Sequence, residues 1–246
     1  MNATIHTLTQ HRTYRHFQEN ETLPSSHLQA IIDSARQAPS WMNGQHYSII
    51  QINHPDLRQR IVELQPQNPQ IGTCAVYFIF IADLHRAELC SQAYKGSFTA
   101  ASSADALITA VSDASFAAQN AVVAAESLGY GTCYTGGIRQ VASELVALLG
   151  LPKHTFPLYG LCIGTPAIEM QRKPRLPENT VYSENHYPSD TVLSEGLAQY
   201  EDTMTKFGEA RETLPYREKF ARYYSRPNAE QNTALMHTLG WLNETK

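Results

Sequence analysis

The pattern of apolar and polar positions predicts a mixture of amphipathic helices and buried strands. After Pro24, apolar residues recur over 28–35 with the i, i+3, i+4, i+7 spacing of a helix. Ser26 and Gln29 have the spacing of a capping box, in which each side chain bonds a backbone N–H at the start of a helix. Pro39 disfavours helical backbone at the residue before it. The first predicted helix therefore lies between the two prolines.

A continuously apolar segment at 75–82 has a different pattern. It is rich in aromatic and branched residues and does not alternate with polar ones, which is typical of a strand buried on both faces. We expect it to form the centre of a sheet. The other predicted elements are strands at 47–52, 132–135 and 158–163, helices at 55–64, 103–128 and 141–149, loops at 40–45 and 65–72, and a polar, tyrosine-rich helical region from Tyr182 onward.

The helix predicted at 103–128 is unusually poor in charge. Its only charged residues are Asp105, Asp113 and Glu126, and Gly129 follows at the position where a glycine ends a helix. A seam of alanines runs along one side. Such a helix must be buried and closely approached by another helix. The pattern alone leaves open whether that neighbour belongs to the same chain or to a second subunit.

Length and composition set limits on the kind of protein. At 246 residues the chain fits one large domain or two small ones. Its 19 basic and 23 acidic residues form no basic stripe, so we expect no nucleic-acid partner. The longest strongly apolar segment, 74–82, is less than half of the roughly 20 residues that a spanning helix needs, and the first ten residues lack the features of a signal peptide. We therefore expect a cytoplasmic protein with no membrane partner.

Several kinds of chemistry are excluded by missing motifs. Cys74, Cys133 and Cys162 lie in apolar or strand-like segments and Cys90 in a predicted loop, without a C-x-x-C pair, so we expect reduced thiols. The ten histidines show no metal-ligand spacing, and we expect no metal site. Neither a G-x-S-x-G nucleophile elbow nor a Walker loop is present. Hydrolase and nucleoside-triphosphatase functions are therefore disfavoured.

Two basic clusters stand out in a chain whose net charge is −4. The first is His11-Arg12-Thr13-Tyr14-Arg15, which combines guanidinium forks with a hydroxyl group. The second is Lys173-Pro174-Arg175, in which the proline favours extended backbone and lets the two cations point the same way. Clustered cations of this kind suit a phosphate, although each cluster taken alone fits solvated surface charge equally well.

A glycine-rich segment follows the alanine-rich helix. Gly129-Tyr130-Gly131 begins like a dinucleotide-binding fingerprint, but Tyr134 occupies the place of the third glycine, and the segment leads from a helix into a strand. We therefore reject a Rossmann site. Gly136-Gly137 could let backbone N–H groups approach a flat ligand, or could simply form a turn.

Five ordered motifs resemble one protein family. They are HRTYRHF, SARQAPSWMNGQ, AAESLGYGTCYTGGIR, PLYGLCIGTP and KPRLPENTVYSENHYP. Over residues 5–246 the chain resembles the flavin-dependent nitroreductase superfamily, in particular the NADPH-preferring group A branch of oxygen-insensitive nitroreductases and NADPH:FMN oxidoreductases. The resemblance implies an α+β fold with a mostly antiparallel sheet flanked by helices. It also implies a homodimer with one FMN per subunit, in which each chain is a single domain with a core at about 1–180 and a C-terminal excursion at about 181–246.

The resemblance further implies which residues bind the cofactors. The phosphate site falls on His11, Arg12, Thr13 and Arg15, with Lys173 and Arg175 approaching from the second cluster. The flavin loop falls on Ser40, Trp41, Met42, Asn43 and Gln45, and the segment beside the isoalloxazine ring on Tyr134, Thr135, Gly136 and Gly137. Asn68 and Gln70 stand where the family usually offers a glutamine with a tyrosine or histidine nearby. Arg211 falls on the family's NADPH-binding arginine, and Arg217 is a second candidate.

The implied activity is ping-pong transfer of two electrons from NADPH, through FMN, to nitroaromatics, quinones, flavins or azo compounds. No side chain is needed as a general acid or base, and Arg15 is the candidate cation that tunes the flavin. Two alternatives remain open. One is another reductive chemistry on the same fold, such as dehalogenation or ene reduction, and the other is a non-catalytic, FMN-binding redox sensor.

Overall fold

The computed structural model describes residues 2–208, 213–227 and 230–242. The chain divides into two compact units, Met1–Met170 with Ala229–Lys246, and Gln171–Asn228. The strands of the first unit are β1 (Tyr47–Gln51), β2 (Val76–Asp83), β3 (Gly131–Thr135) and β4 (Thr155–Gly164). Its helices are α1 (Ala3–Thr9), α2 (Ser25–Arg36), α3 (Pro55–Leu64), α4 (Gln70–Thr73), α5 (His85–Ala93), α6 (Ala104–Ser127), α7 (Ala142–Leu149) and α10 (Glu230–Thr238). The second unit contains α8 (Asp190–Phe207) and α9 (Tyr216–Tyr224).

The strands form one sheet in the order β1-β2-β4-β3, and each neighbouring pair is antiparallel. Every residue of β2 is buried, as its uninterrupted apolar sequence predicts. β4 extends beyond the predicted limits at both ends and pairs with β2 on one side and β3 on the other. The predicted α+β class with an antiparallel sheet is therefore confirmed.

α6 matches its predicted limits because both ends carry local signals. The Ser103 hydroxyl accepts the N–H of Ala106 at 3.1 Å, and Gly129 has a φ of 87°, which favours glycine. Its alanine seam is buried against α2 and the sheet, so the close neighbour is within the chain. By length and composition alone the helix could cross a membrane, a test that the core helices of soluble proteins also pass. Its opposite side leaves Ile108 and Phe116 62% and 48% exposed.

Three local predictions differ from the structure. α2 has Pro24 as its N-cap and no side-chain capping bond, so the capping box of Ser26 and Gln29 is wrong. α1 and α5 were not predicted, because neither helix has a buried residue and so neither sequence shows an apolar stripe. Cys90 consequently lies on the exposed surface of α5 rather than in a loop. α4 occupies part of the predicted loop at 65–72.

The segment after α10 is fixed to the first unit by Trp241. Its indole is fully buried, and Nε1 donates to the backbone oxygen of Thr155 at the start of β4, at 3.2 Å. A buried indole combines large apolar burial with a satisfied N–H, so it anchors this segment firmly.

The second unit has its own small aromatic core. Tyr216 lies between Tyr200 and Phe220, with ring centroids 4.8 Å from each in edge-on geometry. The hydroxyl of Tyr200 donates to the backbone oxygen of Pro174 at 2.9 Å. These contacts pack α8 against α9 and tie the second basic cluster to α8.

Candidate functional site

The first basic cluster lies against the start of β3. Thr13 forms an isolated parallel bridge with Thr132, and Tyr14 donates its backbone N–H to the Thr132 oxygen at 2.9 Å. The Tyr14 ring covers Gly131, where a Cβ would lie 2.7 Å from the ring. Glycine is therefore required at this point for the segment to dock.

The cations of this cluster differ in their partners. His11 pairs through Nδ1 with Glu126 at 2.7 Å. The guanidinium of Arg12 forms an ion pair with Glu169 and donates to the Met170 oxygen at 3.3 Å. Arg15 is half-buried and has no hydrogen bond or ion pair with another described residue. Arg15 is thus the cation in this cluster that is most available to an anionic ligand.

The loop between α2 and β1 has a strained backbone. Met42, Asn43 and Gln45 have φ values of 50°, 56° and 51°, a left-handed conformation that costs each non-glycine residue roughly 1 kcal/mol or more. Met42 is 80% exposed and Trp41 60% exposed. The structure thus presents two large apolar side chains and two amides on a loop that surrounding groups must hold in place.

Two charged residues hold this loop through its backbone. The buried carboxylate of Asp113 accepts the backbone N–H groups of Trp41 and His46, each at 3.0 Å, and the ring Nδ1 of His46 at 2.9 Å. Arg86 donates to the backbone oxygens of Gln45 and Tyr47. Within the loop, the Ser40 hydroxyl accepts the N–H of Gln45 at 3.1 Å. These bonds offset the backbone strain and fix the direction of the exposed side chains.

The C-terminal end of β3 opens onto a cavity of about 560 Å³. Tyr134, Gly136 and Arg139 line it, and Tyr159 packs edge-on against Tyr134 with ring centroids 5.3 Å apart. Burial raises the pKa of the Tyr134 phenol further above neutrality. Its hydroxyl is protonated at neutral pH with or without this shift and can donate a hydrogen bond. The Thr135 hydroxyl instead bonds Tyr77 in the core at 3.0 Å, which leaves only its backbone to serve a ligand.

Side-chain amides from the segment before β2 lie close to Gly137, the second glycine of the Gly136-Gly137 pair. Asn68 donates to Gln65 at 3.2 Å and accepts from Gln70 at 3.2 Å. A Cβ at Gly137 would lie 2.6 Å from the Gln65 side-chain oxygen and 3.0 Å from the Asn68 nitrogen. Gln70 is buried and also donates toward the sulfur of Cys133 at 3.6 Å. The tertiary structure therefore brings Asn68, Gln70 and Gly137 together, and the small size of Gly137 admits the amides.

The remaining predicted residues belong to the second unit. Lys173 lines a cavity of about 440 Å³ together with Lys219 and Phe220. Arg175 donates to the backbone oxygen of Lys173 at 3.1 Å. Arg217 is held by Glu201, whose Oε1 lies 3.1 Å from Nε and 2.7 Å from Nη2. This pairing lowers the pKa of the Glu201 carboxyl.

Arg211, the predicted NADPH-binding arginine, lies outside the described residues.

The sequence interpretation missed the residues that support these groups. Asp113 and Glu126 are two of the three charges of α6, so their presence in an alanine-rich helix was a usable signal. Glu169, Arg86 and Arg139 had no such signal, because nothing in their local sequence distinguishes them from surface charges.

Comparison with known proteins gives consistent results over the whole chain. Residues 8–165 match the model of the nitroreductase family, and residues 173–244 match the C-terminal domain of the nitroreductase family. The chain is 36% identical over 247 residues to an oxygen-insensitive NADPH nitroreductase of Salmonella typhimurium, covering 98% of this chain and 99% of that protein. It is 34% identical over 233 residues to an FMN reductase [NAD(P)H] of Bacillus subtilis, covering 92% of each.

Solved structures agree with this comparison. The hypothetical oxidoreductase YcnD from Bacillus subtilis superposes with a TM-score of 0.94 at 32% identity, covering 100% of both chains. The NADPH:FMN oxidoreductase from Vibrio harveyi complexed with NAD+ superposes with a TM-score of 0.89 at 25% identity, covering 99% of this chain and 100% of that one. The chain belongs to the nitroreductase family and has its fold.

Proposed function

We propose that this protein is an FMN-dependent oxidoreductase that takes electrons from NADPH and passes two electrons to nitroaromatics, quinones, flavins or azo compounds. One observation carries the proposal. The basic segment docks at Thr132, and the cavity is lined by Tyr134 and by Gly136 just after β3, so the docking point and the far edge of the cavity lie up to about 14 Å apart. That separation leaves room for an extended chain between a phosphate and a flat ring. The names of the relatives support the same activity.

The residues of the first unit fit this cofactor at both ends. At the phosphate end, Arg15 is half-buried and has no partner within the described part of the chain, and Arg12 and Thr13 stand beside it. For Lys173 and Arg175 of the second basic cluster, the proposed contact with the phosphate rests on the family resemblance alone. Arginine forks bind phosphate bidentately, and a half-buried site strengthens these charge-assisted bonds.

At the ring end we propose three groups of residues. They are the loop residues Ser40, Trp41, Met42, Asn43 and Gln45, the amides of Asn68 and Gln70, and the strand-end residues Tyr134, Thr135, Gly136 and Gly137. Buried Asp113 holds the backbone of this loop at Trp41 and His46. A preorganised loop loses little entropy on binding, and its exposed Trp41 and Met42 can cover a ring.

FMN, when bound, supplies a ring that accepts a hydride and passes electrons on in pairs. The chain binds and orients the reactants. Arg15 is the candidate flavin-tuning cation, but because it is placed here at the phosphate end, we propose that its charge serves the phosphate rather than the reduced ring. NADPH and the electron acceptor occupy the same place in turn, which gives ping-pong kinetics. Arg211 and Arg217 are proposed to bind the 2′-phosphate of NADPH.

We also propose that the active form is a homodimer. Ile108 and Phe116 are exposed on α6, and Phe116 also lines the cavity at the end of β3. An apolar patch beside a binding site is typical of a subunit interface. We also propose a cytoplasmic location, which suits the absence of disulfide bonds among the described residues.

Anaerobic addition of NADPH to the purified protein tests the proposal. We expect a yellow protein whose visible absorbance is lost with one equivalent of NADPH and restored by a quinone. Steady-state rates with both substrates varied should give parallel double-reciprocal lines. Intersecting lines would contradict a single site shared by NADPH and the acceptor. A protein that retains flavin but is not reduced by NADPH would be a redox sensor. Activity confined to halogenated or ene substrates would indicate the other reductive chemistry.

A further inference from the structure

Glu126 occupies an unfavourable position for an acidic residue. It lies in the last turn of α6, where the negative end of the helix dipole disfavours a carboxylate. Its side chain is only 12% exposed, so much of its hydration is lost as well. A carboxylate in this position needs strong hydrogen-bond donors to offset both costs.

One donor to Glu126 belongs to the first basic cluster and the other to β3. His11 Nδ1 and the Thr132 hydroxyl lie 2.7 and 2.6 Å from the same oxygen of Glu126, Oε1. Thr132 is also the strand residue on which the segment containing Thr13 and Tyr14 docks. Glu126 therefore joins the first residue of the basic cluster to the strand that supports the cluster.

The chemistry of imidazole gives this contact a function beyond packing. Because Nδ1 faces Glu126, the ring nitrogen left for a ligand is Nε2, which bonds no other described residue. A phosphate dianion only accepts hydrogen bonds. A neutral ring with its proton directed at Glu126 would present a lone pair to the phosphate, whereas an imidazolium presents an N–H from each nitrogen.

We infer that Glu126 is a positioning residue for the flavin phosphate. Its carboxylate orients the ring of His11 and supplies the opposite charge for the doubly protonated form, so that Nε2–H donates to the phosphate. The inference rests on the proposed function, because it takes the basic cluster as the phosphate site of FMN. It assigns Glu126 no contact with the flavin itself.

Flavin binding to the full-length apoprotein tests this role with two ligands, FMN and riboflavin, which lacks the phosphate. Glu126→Gln keeps the shape of the side chain and an oxygen for Thr132 but removes the charge. We expect the Kd for FMN, measured by flavin fluorescence, to rise about tenfold or more. The Kd for riboflavin should change by less than about twofold, because no phosphate is involved.

Two variants serve as controls. Asp105→Asn removes the same charge from the exposed first turn of the same helix and should leave both Kd values unchanged. On a His11→Gln background, Glu126→Gln should add little further loss, since the two side chains act as one unit.

Unchanged FMN binding in Glu126→Gln would overturn the inference. An equal loss of affinity for FMN and riboflavin would also overturn it, because a purely structural role of Glu126 would affect both flavins alike. A wild-type protein that binds neither flavin would overturn the proposed function and this inference with it.

Discussion

The Asp113 carboxylate in the middle of α6 accepts the backbone N–H of Trp41 at 3.0 Å. Asp113 is 1% exposed, so a charge in the core helix holds a loop at the surface. A buried carboxylate is costly unless several donors satisfy it, and here His46 supplies two more through its backbone and ring. The rigidity of the candidate ring-binding loop therefore depends on the helix behind it.

Asp113→Ala should destabilise the protein because it leaves these donors without their acceptor. We expect the free energy of unfolding in urea to fall by roughly 2–4 kcal/mol. Asp33→Ala is the matched control, since Asp33 pairs with Arg36 at 3.2 Å on the exposed face of α2 and should cost less than about 1 kcal/mol. Equal stabilities for the two variants would contradict the anchoring role of Asp113.

Arg15→Ala should release FMN more readily than Arg12→Ala. Arg15 has no partner among the described residues, whereas Arg12 is already neutralised by Glu169. We expect the Kd for FMN to rise about tenfold or more for Arg15→Ala, and the double variant to purify largely without flavin. Flavin content measured after gel filtration checks this, and full occupancy in the double variant would show that the phosphate lies elsewhere.

Arg211→Ala should weaken the binding of NADPH while leaving NADH kinetics nearly unchanged. Loss of one arginine fork on the 2′-phosphate should raise the KM for NADPH about tenfold, or about 1.4 kcal/mol. Arg217→Ala should have a smaller effect, because Glu201 already holds that guanidinium. Initial rates of both variants with NADPH and with NADH test these expectations. If the wild type is equally fast with NADH, neither arginine has a role in binding the 2′-phosphate.

Phe116→Glu should dissociate the proposed homodimer. The side chain is 48% exposed on α6, and a carboxylate buried at an apolar interface without a partner is strongly unfavourable. Light scattering after size-exclusion chromatography should show a dimer for the wild type and a monomer for the variant. Tyr94→Glu changes a 91% exposed aromatic residue after α5 and should remain dimeric. A monomeric wild type would refute the interface.

Elements whose signals are local could be predicted from the amino-acid sequence. β2 follows from an uninterrupted apolar segment, α3 matches its predicted range, and α6 follows from its alanines and the Ser103 and Gly129 at its ends. In each case the apolar pattern and the residues at the ends of the element lie close together in the sequence, so they can be recognised without knowing the fold. The motifs likewise pointed to the family that the comparisons confirmed.

The pairing of polar groups that are distant in the sequence depends on how the chain folds. Glu126 is 115 residues from His11, Asp113 is 72 from Trp41, and Arg12 is 157 from Glu169. Hydrophobic periodicity reports which face of an element is buried, but it carries no information on which distant side chain fills a given hydrogen bond. Those pairings depend on the order of strands in the sheet and on the packing of α6 behind it. For the same reason Thr135 looked available in the sequence, while the antiparallel pairing of β3 directs its hydroxyl to Tyr77 in the core.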